Sequence, residues 1–181
     1  MNFRRWTAAV AKCASALLIL AAGLAIAPSP AQAQSEYYAI FNRLGGKCLD
    51  VDVHNLSRDG ARVQLWACNN QVQQRWFLVP AGPDMGTYRD YTIQTFSYDY
   101  RKCLDAHLPD AGRNGGRVQT WSCNGSAQQR WTFFRGSRTF VNHVAFLCLD
   151  ADTNTINRNG TVVQLWGCNG EDQQVWTPYF P

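Results

Sequence analysis

Lys47-Cys48-Leu49-Asp50 opens a phrase that runs on through Asp59-Gly60, Val63-Gln64-Leu65-Trp66 and Cys68 and closes on Gln73-Gln74-Arg75-Trp76. The phrase returns twice. Its second copy is Lys102-Cys103-Leu104-Asp105, Asn114-Gly115, Val118-Gln119-Thr120-Trp121, Cys123 and Gln128-Gln129-Arg130-Trp131. Its third is Cys148-Leu149-Asp150, Asn159-Gly160, Val163-Gln164-Leu165-Trp166, Cys168 and Gln173-Gln174-Val175-Trp176. In every copy the cysteines stand 20 residues apart, and the aspartate stands 24 residues before the second glutamine. A frame kept this closely marks a repeat architecture, in which no unit can bury its apolar face alone and each must stack on its neighbours.

Within each copy the apolar residues alternate over short stretches bounded by Gly, Asn, Asp and Pro, which is the pattern of strands. Four strands are expected per copy. The first covers Tyr38 to Asn42, Tyr91 to Phe96 and Thr139 to His143 in turn, the second carries Cys-Leu-Asp, the third carries Val-Gln-Leu-Trp or Val-Gln-Thr-Trp, and the fourth starts at Gln-x-Trp. Asp59-Gly60, Asn114-Gly115 and Asn159-Gly160 accept the positive φ of tight turns and lead into the third strands. Three units of four strands fit a closed barrel capped by hairpins, so the expected fold is an all-β β-trefoil with three pseudo-equivalent repeats. The repeats span approximately 37–80, 90–135 and 138–181. The step from Cys48 to Cys103 exceeds that from Cys103 to Cys148 by ten residues. The excess falls around Pro80-Ala81-Gly82-Pro83-Asp84-Met85-Gly86 and the stretch Tyr98-Asp99-Tyr100, and its Pro and Gly predict a surface loop.

Upstream of the repeats, residues 1–33 read as a secretory signal: Arg4, Arg5 and Lys12, an apolar run from Ala14 to Ala27, then Ala31-Gln32-Ala33. The run is shorter than the roughly 20 residues of a spanning helix, so an exported chain beginning at Gln34, without membrane insertion, is expected. Removing Arg4, Arg5 and Lys12 takes the 17 Lys+Arg to 14 against 13 Asp+Glu. The basic residues lie among acids with no run or stripe, which argues against a nucleic-acid or other polyanion partner.

Six of the seven cysteines are the repeat cysteines, and an even, periodic set in an exported chain reads as disulfides. A threefold repeat most simply gives each copy its own bridge: Cys48–Cys68, Cys103–Cys123 and Cys148–Cys168. A metal site would want Cys-x-x-Cys or nearby histidines, but His54, His107 and His143 share no frame in the repeats, so neither a metal nor another cofactor is expected.

Side chains alternate across a strand, and that parity separates core from site. Leu49, Val63 and Leu65 fall on one face; Asp50, Gln64 and Trp66 fall on the other, with Cys48 and Cys68 beside them. The same holds for Asp105, Gln119 and Trp121 and for Asp150, Gln164 and Trp166. A carboxylate, an amide and an indole on an outward face suit a sugar, whose hydroxyl edge bonds the polar groups and whose C–H face lies on the ring. Trp76, Trp131 and Trp176 open apolar strands and are read as core. Thr120 stands where Leu65 and Leu165 stand and marks a weak point in the core pattern. Gln74, Gln129 and Gln174 fit two roles, sugar contact and structural brace of the acid.

Cys-Leu-Asp, Gln-Leu-Trp-x-Cys and Gln-x-Trp in triplicate resemble the ricin-B-type lectin family, over nearly the whole expected mature chain, 34–181. The resemblance implies a non-catalytic β-trefoil with up to three shallow pockets for galactose-containing or xylan-type glycans. It places an acid, a glutamine, a stacking aromatic and an Asn-Gln pair in each pocket. Here the pair reads Gln73-Gln74, Gln128-Gln129 and Gln173-Gln174, so glutamine replaces asparagine and carries its amide about a methylene further out. The expected protein is a secreted, monomeric lectin that gains avidity from three pockets. A glycosidase would need two differently tuned carboxylates at one bond, and one acid copied three times does not supply them. A protease inhibitor acting through the stretch from Pro80 to Asp90, and an attachment module for another secreted protein, are the alternatives. Asn55-Leu56-Ser57, Asn124-Gly125-Ser126 and Asn159-Gly160-Thr161 match the glycosylation pattern, but turn chemistry accounts for two of them.

Overall fold

A computed structural model describes residues 37–96 and 99–181. The expected leader, 1–33, and Tyr98 lie outside the described residues. Among the described residues there are twelve strands: β1 Ala39–Asn42, β2 Lys47–Val51, β3 Ala61–Trp66, β4 Trp76–Asp84, β5 Tyr88–Thr95, β6 Lys102–Ala106, β7 Gly116–Ser122, β8 Trp131–Phe134, β9 Thr139–Asn142, β10 Cys148–Ala151, β11 Thr161–Trp166 and β12 Trp176–Tyr179. Four per repeat is the number the sequence pattern predicts.

β1, β4, β5, β8, β9 and β12 form the barrel through the pairs β1·β12, β4·β5, β5·β8 and β8·β9. A bridge between Tyr38 and Trp76 ties the first strand to β4, and the Trp176 N–H donates to Arg138 O beside β9. The other six strands make three hairpins, β2·β3, β6·β7 and β10·β11. These hairpins cap the barrel, because β3, β7 and β11 also pair with one another in a triangle. The result is a β-trefoil.

The core follows the parity of the strands. Leu49, Leu104 and Leu149 are buried with Val63, Leu65, Val118, Val163 and Leu165. Trp76, Trp131 and Trp176 are fully buried, and each Nε1 donates to the carbonyl of the leucine just before the repeat's aspartate: Leu49 (3.0 Å), Leu104 (3.0 Å) and Leu149 (2.9 Å). A barrel tryptophan therefore anchors each cap hairpin at the residue next to the acid. Each repeat carries its own disulfide, Cys48–Cys68, Cys103–Cys123 and Cys148–Cys168, with Cα atoms 5.1 Å apart.

The ten extra residues differ from the expected loop. They lengthen β4 and β5 into a two-stranded ribbon that runs to Asp84 and returns from Tyr88, with a register shift between Pro80 and Asp84. Proline lacks a donor, but an irregular ribbon tolerates it where a regular central ladder would not. Asp84 anchors the ribbon to the barrel by accepting from both terminal nitrogens of Arg135, at 2.8 and 2.7 Å.

Candidate functional site

Each cap hairpin brings the aspartate of its second strand opposite the glutamine of its third. Asp50 pairs with Gln64, Asp105 with Gln119 and Asp150 with Gln164 in register, while Cys48 pairs with Trp66, Cys103 with Trp121 and Cys148 with Trp166. The three carboxylates make the same bonds. Oδ1 accepts from the hairpin glutamine, Gln64 at 2.9 Å, Gln119 at 3.0 Å and Gln164 at 3.0 Å. Oδ2 accepts from the second glutamine of Gln-x-Trp, Gln74 at 3.0 Å, Gln129 at 3.0 Å and Gln174 at 2.9 Å. A carboxylate has about four lone-pair sites, of which these two glutamines take one on each oxygen; Gln73 and Gln173 add a further hydrogen-bonding influence on Asp50 and Asp150.

Strand parity gives the face but not the depth. Asp50, Asp105 and Asp150 are buried, and with them Gln64 and Gln119. The acid forms a recessed floor and not part of an open face, because the two glutamines cover it. Burial raises all three carboxyl pKa values above the ordinary 3.8, against the opposing effect of the glutamine amides. The indoles stand above: Trp66, Trp121 and Trp166 are 40%, 39% and 38% exposed.

The second glutamines are fully committed. The Gln74 amide donates to Asp50 and to Ala67 O (3.0 Å), and its Oε1 accepts from Asn69 N (2.9 Å). Gln129 and Gln174 repeat that set on Ser122 O and Asn124 N and on Gly167 O and Asn169 N. Gln73 and Gln128 line the cavities beside the acids, while Gln173 is buried.

In two repeats these groups enclose a cleft. Asp50, Gln64, Trp66 and Gln73 share a cavity of about 270 Å³ with Asp52, Val53 and His54. Asp105, Gln119, Trp121 and Gln128 share one of about 350 Å³ with His107, Leu108 and Pro109. The far wall was not foreseen. It is a short 3-10 turn after the second strand, Val53–Asn55 or Leu108–Asp110, whose aliphatic side chain, Val53 or Leu108, lines the same cavity as the indole. Val53 and Leu108 are 53% and 56% exposed, which leaves an apolar surface open to a ligand. In the third repeat Thr153 takes that place. Asp52 shapes the turn by accepting from His54 N at 3.0 Å, an Asx cap that could have been read from the sequence. Among the described residues no group of His, Cys, Asp and Glu is placed to hold a metal ion.

Residues 36–176 match the ricin-type β-trefoil lectin domain. The chain belongs to that family. No curated protein sequence matches it. Among solved structures, this ricin-type chain is similar to ThreeFoil, a designed threefold-symmetric protein, at 26% identity and a TM-score of 0.65 over 78% of this chain and 96% of that one. The C-half of an earthworm R-type lectin in complex with GalNAc is 17% identical, with a TM-score of 0.57 over 81% and 99% of the two chains. An exo-β-1,3-galactanase from Clostridium thermocellum is 22% identical, with a TM-score of 0.64 over 82% of this chain. This ricin-type chain spans only 31% of the galactanase, so the likeness concerns the trefoil fold alone.

Proposed function

We propose that this ricin-type chain is a secreted lectin that holds glycans in the clefts built on Asp50 and Asp105 and against the equivalent groups around Asp150. The supporting observation is the recessed carboxylate, which lines one cleft together with a half-exposed indole in the first two repeats. Two adjacent hydroxyls of a pyranose would donate to the carboxylate while a C–H face lies on Trp66, Trp121 or Trp166. Val53 and Leu108 give the first two clefts a second apolar wall. Thr153 and the buried Gln173 make the third the weakest. Galactose-containing or xylan-type glycans are the proposed class, and GalNAc, the ligand of the earthworm neighbour, is the first probe. Binding is non-catalytic and multivalent, with avidity gains of roughly 10² when several clefts engage one polymer.

A glycan array with the oxidised protein tests this reading. Retention should fall stepwise as Trp66→Ala, Trp121→Ala and Trp166→Ala are combined, with the first two removing more than the third. A triple variant that keeps wild-type binding would remove the clefts from the function. The inhibitor alternative has less to stand on, since the ribbon from Pro80 to Asp90 is paired along its strands and pinned by Arg135.

A further inference from the structure

Along the sequence the arginines are scattered among acids, yet the fold brings two of them into one cleft at the cap end of the trefoil and sets three more on the turns that lead into the cap strands. Each cap turn carries an arginine two residues before its glycine: Arg58 before Gly60, Arg113 before Gly115 and Arg158 before Gly160. Two turns carry another two residues after it, Arg62 and Arg117, and the third carries Val162. Arg62, Arg117 and Val162 line one cleft of about 340 Å³ together with Gly60 and Gly115. The cleft sits where β3, β7 and β11 pair around the triangle. Two chain steps of about 3.8 Å each keep Arg58, Arg113 and Arg158 close to the turn glycines.

The guanidinium groups are held in place across this cleft. Arg62 donates to Gly160 O, and Arg117 donates to Gly60 O and to Gln119 Oε1. A guanidinium has five N–H donors, so both keep free donors. The acids at this end are already engaged. Asp59 accepts from Lys102 at 2.7 Å and from Ser122, and Asp110 faces His107 at 2.9 Å and Arg113 at 3.7 Å. Among the described residues no carboxylate lies in salt-bridge range of Arg58, Arg62, Arg117 or Arg158. Like charges in the cleft, Arg62 and Arg117, and on the turns beside it, Arg58 and Arg158, repel each other until an anion enters, and arginine forks match sulfate and carboxylate oxygens in pairs.

We propose that the cap end of the trefoil binds the sulfate or carboxylate groups of an acidic polysaccharide, on a surface that adjoins the indole clefts at Gln119 and Gln164 but does not use the indoles. A polymer with charges spaced along it suits arginines spread over three turns better than a single small anion does. The lining of glycine, valine, arginine and Gln164 has no aromatic ring. It therefore lacks the stacking platform on which proteins hold single-stranded nucleic acid.

The test is biolayer interferometry on the oxidised protein with immobilised dextran sulfate, alginate, uncharged dextran and single-stranded poly-dT. Wild type and the Trp66→Ala/Trp121→Ala/Trp166→Ala variant should both prefer dextran sulfate or alginate over dextran, and the stronger of the two identifies sulfate or carboxylate as the recognised group. Binding should fall roughly tenfold or more between 50 and 200 mM salt. Arg58→Ala/Arg158→Ala, which removes no hydrogen bond of the fold, should weaken binding at least about fivefold, and Arg58→Lys/Arg158→Lys should restore most of it. Adding Arg62→Ala and Arg117→Ala should abolish it. Poly-dT bound as tightly as the acidic polysaccharides, no preference for them over dextran, or unchanged binding in the Arg58→Ala/Arg158→Ala variant overturns the proposal.

Discussion

Replacing Gln74 by methionine separates the two glutamines that the sequence places together in each pocket. Gln74 is buried, and Gln74→Met keeps its length and apolar stem while deleting three hydrogen bonds: to Asp50 Oδ2, to Ala67 O and from Asn69 N. The bond to the carboxylate is charge-assisted and contributes about 1.5–3 kcal/mol. The two backbone bonds contribute about 1 kcal/mol each at most, because Ala67 and Asn69 are exposed and their groups reach water. Removing the amide's own desolvation offsets about 1 kcal/mol. The expected loss is about 3 kcal/mol, or roughly 6–12 °C in Tm for a domain of this size. Gln73 lies half-buried on the cleft wall, so Gln73→Met should leave stability within about 0.5 kcal/mol and act on glycan binding instead. Urea unfolding of the oxidised protein, followed by tryptophan fluorescence, measures both. A Gln74→Met loss below about 1 kcal/mol, or a larger loss for Gln73→Met, would refute the assignment of brace and wall.

Thr120 is fully buried and its hydroxyl has no hydrogen-bond partner among the described residues, in the place of Leu65 and Leu165. Thr120→Val removes that group at nearly constant volume and should stabilise the protein by about 1 kcal/mol in the same urea assay. The pH dependences of binding and stability should diverge. A cleft carboxylate accepts from hydroxyls on both oxygens only when ionised, and burial raises Asp50, Asp105 and Asp150 above 3.8, so glycan binding should fade with acidification before an ordinary aspartate protonates. For an acid whose folded pKa is raised, protonation favours the folded state, so these groups add stability as pH falls from the folded value toward the unfolded one. Affinity-gel retention and urea midpoints between pH 4 and 7 should therefore move in opposite directions; parallel loss would mean that the carboxylates are not the groups titrating.

What the sequence revealed and what it hid divide along physical lines. The strands, the three bridges and the core role of Trp76, Trp131 and Trp176 follow from spacing and alternation, which the backbone translates directly into faces. Depth does not follow from parity: Asp50 and Trp66 share a face, yet one is recessed on the floor of a cleft and bonded by two amides while the other stands in solvent. The far wall was hidden for a different reason. Val53, Leu108 and Thr153 occupy one frame position with three different residues, so a search for invariant letters passes over it. Pro80 and Pro83 concealed the β4·β5 ribbon, since proline reads as a loop unless the partner strand that accepts the irregularity is known.

Repetition here does more than multiply one site, because each cleft is completed by the preceding repeat. Gly160, at φ +83°, lies against Gln64 and Trp66; a Cβ there would come within 3.7 Å of the Gln64 Oε1. Gly60, at φ +80°, meets Gln119 and Trp121 in the same way, and Gly115 meets Gln164. The turn residue beside each glycine also holds the chain just after the neighbour's indole. Asn159 accepts from Ala67 N at 2.9 Å, Asp59 from Ser122 N at 2.6 Å and Asn114 from Gly167 N at 2.7 Å. The three contacts close a ring in which the third repeat braces the first, the first the second, and the second the third. An excised repeat would keep its disulfide and its Asp-Gln pair but lose the turn that backs its tryptophan. Deleting one repeat would accordingly disable two clefts, its own and the one it supports, so the smallest unit that carries even one complete cleft is larger than the unit that the sequence repeats.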